Sequence, residues 1–564
     1  MARSFMCGAF VLLTLLSGCD QQPAQRPADL VILGGDIQTM DAAAAHASAV
    51  AVRDGKIVYV GDDAGVKPHV GRDTQVVEAQ GATVLPGLID SHIHAAEGAL
   101  GLGGCSLEDK QLSVEAAGKV IRDCLTRDQS SGWLVVSEVN SAGFRADRKG
   151  LDAIVPNRPL FLYGADGHTG WVNSKGLALA GITRDTKDPP DGRIERTASG
   201  EPTGFLVDGA LGPVLAALDK PTPEKRLQAL REILPQLHAA GITSYLEANT
   251  SAETVAAYVQ LAQRHELTAR VSIALSSEGK ASDEEFVRLD TLRKSVGNEP
   301  LLRADFIKLF ADGVMEYPTQ TAAMLAPYAD AKGKPGKSHG KLYIEEEAMK
   351  LFFRRAATEG FNIHVHAIGD AAVRETLNAI EAARAAGSKQ LYSIAHLQLI
   401  DPADLPRFAQ LDTIASLQLF WALPDNYSID ALLPYIGAER QQRIYPARSL
   451  VAAGATVAGG SDWDVSSFNP FEAMATGMSR TNPEEPARGA LNAKETLTLD
   501  ELLHAYTINA ARLLGREAEI GSLAVGKAAD VIVLDRHLSA QSTADEVRST
   551  RVARAFVGGR QVTP

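Results

Sequence analysis

Residues 84–94 read VLPGLIDSHIH. Val84 to Asp90 is a short buried-strand candidate, and His92 and His94 follow it two residues apart. Residues i and i+2 of a strand point to the same face, so two imidazoles in this spacing can grip one divalent metal. A lone His-x-His is also what surface or core histidines look like. Its meaning depends on what stands at the ends of other strands.

Seven more strand candidates follow: Ile242–Glu247, Arg270–Ala274, Asp305–Phe310, Phe361–His366, Tyr392–His396, Thr413–Leu417 and Ala455–Gly459. Amphipathic helical segments lie between several of them, at Pro223–Ala240, Glu345–Thr358, Ala371–Ala386 and Asp401–Leu411. Another begins at Thr250, where Glu253 three residues on fits a capping box. Strand–helix alternation of this number predicts an α/β fold, a (β/α)8 TIM-type barrel over residues 85–515. The first two strands are far apart, and the gap contains strands of its own, WLVVSEV at 133–139 and PLFLYGA at 159–165. Residues 97–220 therefore read as an α/β lobe inserted over the barrel mouth. Short strands crowd residues 29–84, with Asp54-Gly55 as a two-residue hairpin turn in AVRDGKIVYV at 51–60. About 55 residues is thin for an independent core. Further strands at Asp530–Leu534 and Arg551–Val557 predict one small β-sandwich built from both chain ends, 29–84 and 516–564.

The chain has 564 residues, 45% of them hydrophobic and 22% charged, with a net charge of −13. That composition is globular and excludes disorder, collagen and coiled coil as the main story. An acidic surface repels phosphate backbones, so no nucleic-acid partner is expected. Residues 1–19, MARSFMCGAFVLLTLLSGC, combine a positive start, a short apolar run and small residues, the pattern of a secretory signal. Leu16-Ser17-Gly18-Cys19 resembles a bacterial lipobox, which implies a lipid on Cys19 and anchoring on the periplasmic side of a membrane. Asp20 after that cysteine suggests the inner membrane. Residues 20–28 read as a tether. A plain cleaved signal without lipid is the alternative. No later apolar run reaches the ~20 residues of a spanning helix. With Cys7 removed and Cys19 lipidated, Cys105 and Cys124 are expected to pair in a compartment that permits disulfides; two separate buried thiols are the alternative. A homodimer would leave no readable sign.

The other strand ends carry chemistry. HVHAIGD at 364–370 ends the fifth strand, His396 the sixth, and Asp462 follows the eighth in AGGSDWD. Lys308 lies on the fourth, in DFIKLFADG. Strand ends of such a barrel converge on one face, where its active sites are built. Histidines with a carboxylate there match zinc or a similar divalent metal. No Gly-x-Ser-x-Gly elbow and no phosphate-binding Gly-x-x-x-x-Gly-Lys loop is present.

The segments GHTGWVNSKGLALAGI at 167–182, FIKLFADG at 306–313, HAIGDAAV at 366–373, IAHLQLI at 394–400, GGSDWDV at 459–465, AYTINAARLLG at 505–515 and GSLAVGKAADVIVLD at 521–535 join VLPGLIDSHIH in order. In these the chain resembles the amidohydrolase superfamily, specifically amidohydrolase family 3, the branch of N-substituted formamide deformylase-like metal-dependent hydrolases. The resemblance implies one or two divalent metals, zinc foremost, with His92 and His94 on the first and His366 and His396 on the second. It implies that Asp462 ligates the first metal and shuttles a proton. It implies that Lys308, carboxylated by CO2, bridges the two; an ordinary ion pair of Lys308 with Asp305 or Asp312 is the alternative. It places the 167–182 segment against the site, so His168 would hold a substrate carbonyl or oxyanion and Trp171 would line the substrate, against plain turn or packing roles for both. His364 reads as a barrel filler or a hydrogen-bond partner of a ligand, and Glu247 and Glu316 as supporting carboxylates. Asp90 and Asp370 are candidate acceptors for ligand rings.

The expected substrate is a small molecule, first an N-acyl or N-formyl amine, cleaved at a non-peptide C–N bond. A cyclic amide, an ester or a deaminase-type amidine would use the same site. A lipid-anchored binding protein without catalysis is the reading of another class.

Overall fold

The computed structural model describes residues 26–128 and 132–563. The leader, the lipobox with Cys19 and most of the tether lie outside the described residues.

Eight parallel strands form the central sheet: β1 (Leu88–Ile93), β2 (Ile242–Thr250), β3 (Arg270–Ser276), β4 (Leu302–Phe310), β5 (Asn362–Ala367), β6 (Tyr392–His396), β7 (Thr413–Leu417) and β8 (Thr456–Gly459). Each pairs with the next in chain order, so the sheet curls into a nearly closed barrel. At the seam the Asp462 N–H, just past β8, donates to the His92 carbonyl on β1 at 2.8 Å. Gly460 permits that approach: a Cβ there would lie 2.9 Å from the His92 nitrogen and 3.0 Å from the Gln418 amide. The outer helices bury their apolar faces against the strands, with Leu230, Ile233, Leu237, Phe352, Phe353, Leu377 and Ile380 in one continuous core. The barrel's lower interior is filled by Ile89, Leu246, Ala274, Phe306 and Ile414.

Two local expectations shift. The first strand is split at Gly87: Thr83–Pro86 belongs to the end sheet, and β1 begins at Leu88. The helix after β2 is capped by Ser251, whose hydroxyl accepts from the Thr254 N–H, while the Thr250 hydroxyl turns back to the Glu247 carbonyl. Ser251 wins because its extended backbone sits one residue closer to the helix.

Strands from both chain ends form one continuous sheet. Its order is Arg560–Gln561, Val552–Val557, Val531–Leu534, Thr83–Pro86, Leu30–Gln38, His46–Arg53 and Lys56–Gly61, with Gln75–Glu78 also on the Leu30 strand. Asp54 and Gly55 both take positive φ, 51° and 74°, as the tight hairpin between the last two long strands needs. The Arg270 guanidinium at the start of β3 bonds both Asp530 carboxylate oxygens, at 2.6 and 3.1 Å, and so pins this sheet to the base of the barrel.

Between β1 and β2 a six-stranded sheet is laid down in the order Gly192–Arg196, Pro202–Asp208, Thr169–Val172, Leu160–Gly164, Leu134–Val139, Cys105–Ser106. It has its own cores, one on each face. Cys105 and Cys124 are joined by a disulfide that ties this sheet to the helix Val114–Arg127. Among the described residues no helix is long and apolar enough to cross a membrane.

Candidate metal centre

The C-terminal ends of β1, β4, β5 and β6 and the turn after β8 bring His92, His94, Lys308, His364, His366, His396 and Asp462 together. All but His94 are buried. The Asp462 Oδ1 lies 3.2 Å from His92 Nε2 and 3.1 Å from His94 Nε2. The three donor atoms fall within 4.8 Å of one another. His366 and His396 stand beside them, their ring centroids 4.4 Å apart and that of His396 4.8 Å from His92.

The proton placement decides what these atoms are for. His94 Nδ1 faces the Ala248 carbonyl at 2.9 Å, so it carries a hydrogen and Nε2 is the atom turned to Asp462. Burial opposes charge on this imidazole, but the Asp462 carboxylate outweighs it and holds the ring above its usual value in the absence of a metal. His92 Nδ1 lies 2.7 Å from His364 Nε2, and His364 Nδ1 lies 2.7 Å from the Ser393 hydroxyl. Run outward from His92, this chain leaves His92 Nε2 bare. With both Nε2 atoms deprotonated, two lone pairs and a carboxylate oxygen converge, the donor set of a divalent metal. Asp462 Oδ1 and His396 Nδ1 are buried without a hydrogen-bond partner. Acceptors that face one another in the interior repel unless a cation lies between them, so the residues present fit a divalent metal. His366 directs Nε2 to the Gly313 carbonyl at 3.1 Å, leaving Nδ1 on the side of His396.

Backbone strain marks the same place. His396 and Asp462 have φ of 74° and 55°, in the region that favours glycine. Such residues cost about 1–3 kcal/mol each and persist where the surroundings over-determine them. His396 also stacks on Trp421, centroids 5.4 Å apart and planes at 8°.

Burial is the main electrostatic cause. It holds His92 down to about 3, with the Lys308 charge adding to it, and keeps His364, His366 and His396 well below the usual imidazole range. It also brings Lys308 down to about 7. The Lys308 Nζ lies 3.2 Å from His92 Nε2 and, among the described residues, pairs with neither Asp305 nor Asp312. Asp312 is occupied by the N–H groups of Ala323, Ile368 and Gly369, although burial pushes its carboxyl up to about 7.

The surrounding carboxylates divide. Glu247 accepts from the Ala96 N–H at the first turn after His94 and from the Tyr258 hydroxyl at 2.5 Å; burial pushes it up to about 7. Asp90 accepts from the His92 and Ser461 N–H groups and so braces the seam. Glu316 accepts from Gln398, and Asp370 from the Leu325 N–H. Neither Asp90 nor Asp370 takes a ligand ring: those bonds go to Ala248, Gly313 and His364, because backbone carbonyls and the neighbouring strand lie nearer the ring edges.

His168 reaches the centre from the inserted sheet, its ring 5.3 Å from that of His366. Its Nδ1 lies 2.6 Å from Asp208 Oδ1. Burial opposes charge on this ring, but Asp208, Asp166 and Asp462 outweigh it and hold His168 above its usual value. Trp171 does not line the site. It is buried in the lobe's core, with Phe144 and Phe205 at 5.3 and 5.0 Å. Asp208 and Trp421 were not legible beforehand; the single sequence clue to Asp208 was the Asp-Gly pair at 208–209, a turn signal.

Comparison with known proteins follows this geometry. A family model described as amidohydrolase family matches residues 75–563. The chain is 29% identical to the N-substituted formamide deformylase of Arthrobacter pascens, over 94% of this chain and 97% of that protein. It is also 29% identical to Protein LONG AFTER FAR-RED 3 of Arabidopsis thaliana, over 96% and 93%. Among solved structures, an uncharacterized metal-dependent hydrolase from Pyrococcus horikoshii OT3 shares the fold with a TM-score of 0.71 at 23% identity, over 90% of this chain and 97% of that one.

Proposed function

The chain belongs to the amidohydrolase family and is a metal-dependent hydrolase of carbon–nitrogen bonds; from that premise we propose that its substrate is a small N-acyl amine, with N-formyl amines first. The observation that carries the metal site is the convergence of His92 Nε2, His94 Nε2 and Asp462 Oδ1 within 4.8 Å of one another. These three would hold a first divalent metal, zinc by donor type, and His366 and His396 would hold a second. Lys308, as its carbamate, would offer them an anionic oxygen ligand. Its burial favours the uncharged amine, the form whose nitrogen adds to the carbon of CO2 with loss of one proton. A divalent metal bound here supplies acidified water and a polarised carbonyl.

The chain's own residues do the rest. The Asp462 carboxylate takes the proton released as water attacks and hands it to the departing amine nitrogen. His168 offers Nε2 to the acyl oxygen from the lobe side. The formamide substrate rests on the deformylase relative. The sequence of residues 1–20 supports export and lipid attachment at Cys19 on the periplasmic side of a membrane.

The test is elemental analysis of protein made with zinc and bicarbonate, followed by incubation with N-benzylformamide and N-benzylacetamide and detection of benzylamine. Two metals per chain and release from the formamide are expected. No metal, or metal without release from either amide, overturns the assignment.

A further inference from the structure

We propose that Asp208 is the positioning residue of His168, so that the lobe brings a coupled His–Asp pair to the reacting substrate; the proposal rests on the hydrolase reading of the metal site and deepens it. The two residues face each other across a ladder. Thr169 pairs with Val207 in antiparallel register, and the Asp208 N–H donates to the His168 carbonyl at 2.8 Å. Just past the end of that ladder the two side chains meet, His168 Nδ1 lying 2.6 Å from Asp208 Oδ1.

Among the described residues the Asp208 carboxylate takes no backbone N–H. Its side chain is 3% exposed, its short side-chain hydrogen bond goes to His168, and the buried Tyr343 hydroxyl is the other polar group that faces it. Carboxylates that brace the backbone here look different. Asp166 takes the His168 and Thr169 N–H groups and the Thr169 hydroxyl, and Asp312 takes three N–H groups. Asp208 also adopts φ 51° and ψ −125°, a conformation that favours glycine. A buried acid in a strained backbone whose short hydrogen bond goes to an imidazole is the arrangement expected of an orienting group.

The geometry also fixes which ring atom works. With Nδ1 committed to Asp208, Nε2 is the atom left for a ligand on a ring 5.3 Å from His366. Without Asp208 the imidazole can rotate about its side-chain bonds and exchange tautomers, so that only a fraction of molecules presents Nε2 correctly.

The experiment uses the metal-loaded protein with p-nitrophenyl acetate and N-benzylformamide as probes. The variants are Asp208→Ala, Asp208→Asn, His168→Gln and the double variant of His168→Gln with Asp208→Ala. A far-downfield proton resonance is expected in the parent protein, lost in both His168→Gln and Asp208→Ala. The expected loss in kcat is about a hundredfold for either, with KM changed less than about threefold and metal content unchanged. The double variant should be no slower than His168→Gln alone, and Asp208→Asn, which keeps an acceptor at Nδ1, should recover about tenfold over Asp208→Ala. A resonance that survives in Asp208→Ala, or a double variant slowed by the product of the single losses, overturns the pairing. A parent protein that binds metal but cleaves neither probe overturns the hydrolase reading instead, and the resonance still decides whether Asp208 holds His168.

Discussion

His364→Leu should weaken metal binding without touching a ligand. His364 bridges His92 Nδ1 and the Ser393 hydroxyl, each at 2.7 Å, with all three side chains buried. Leucine removes the acceptor that keeps the hydrogen on His92 Nδ1. The lost hydrogen bond contributes about 0.5–1.5 kcal/mol, and free tautomer exchange costs a further factor of about two. Together these give about five- to twenty-five-fold weaker binding, which overlaps the range for loss of an outer partner of a ligand histidine. The assay needs no substrate. Metal-free protein competes for zinc with a chromophoric chelator of known affinity, and thermal melts establish that each variant is folded. His364→Gln, whose side-chain oxygen can replace Nε2 as acceptor, should keep most of the affinity. A folded leucine variant that binds zinc within twofold of the parent would refute the reasoning. So would leucine and glutamine variants weakened alike, since packing and not the hydrogen bond would then be the cause.

Three further outcomes are expected. Tyr258→Phe removes the hydroxyl that Glu247 accepts at 2.5 Å and that lies 3.1 Å from the Tyr245 hydroxyl; it should cost about 1–3 kcal/mol of stability in denaturant melts, and an unchanged midpoint would deny Glu247 its bracing role. The Arg448 guanidinium, 2.6 and 2.5 Å from the two Glu501 oxygens, holds Glu501 down to about 2 from 4.5. That stabilisation is full above pH 4.5 and lost as pH falls toward 2, so the melting gap between parent and Glu501→Gln should narrow on acidification, and a widening gap would contradict the sign. Cys105 and Cys124 are 19 residues apart; opening their link frees a loop worth about 3 kcal/mol in the chain-entropy model, so reduction should speed proteolysis of the lobe while zinc binding persists, and unchanged cleavage rates would show that the link adds nothing.

What the sequence could and could not say follows from which contacts are local. His92, His94, Lys308, His366, His396 and Asp462 each sit at or near the end of a parallel strand, and the barrel alone delivers such ends to one face. Periodicity and turn chemistry were enough to find the strands, and donor chemistry was enough to mark the candidates at their ends; their assignment to metals and the role of Lys308 came from the family resemblance. The break at Gly87 was missed because an apolar run shows no sign of which sheet each half will join.

The lobe shows the opposite case. His168 and Trp171 belong to one segment that the family resemblance sets against the site, but Trp171 lies within the strand Thr169–Val172 and His168 in the turn before it, so their side chains part company. Trp171 went to the core with Phe205, its register partner, while His168 meets Asp208. Asp208 is 40 residues from His168 and meets it beside a strand pairing that no local pattern records. The histidine chain is equally non-local: His364 and His366 share parity on β5, and only closure of the barrel, which sets β1 across the interior from β5, decides that one ring holds His92 while the other faces His396 on β6. Ligands in this fold are set by strand ends, but the groups that aim them are set by how the sheets pair and close, so the second set becomes legible only when the sheets are assembled.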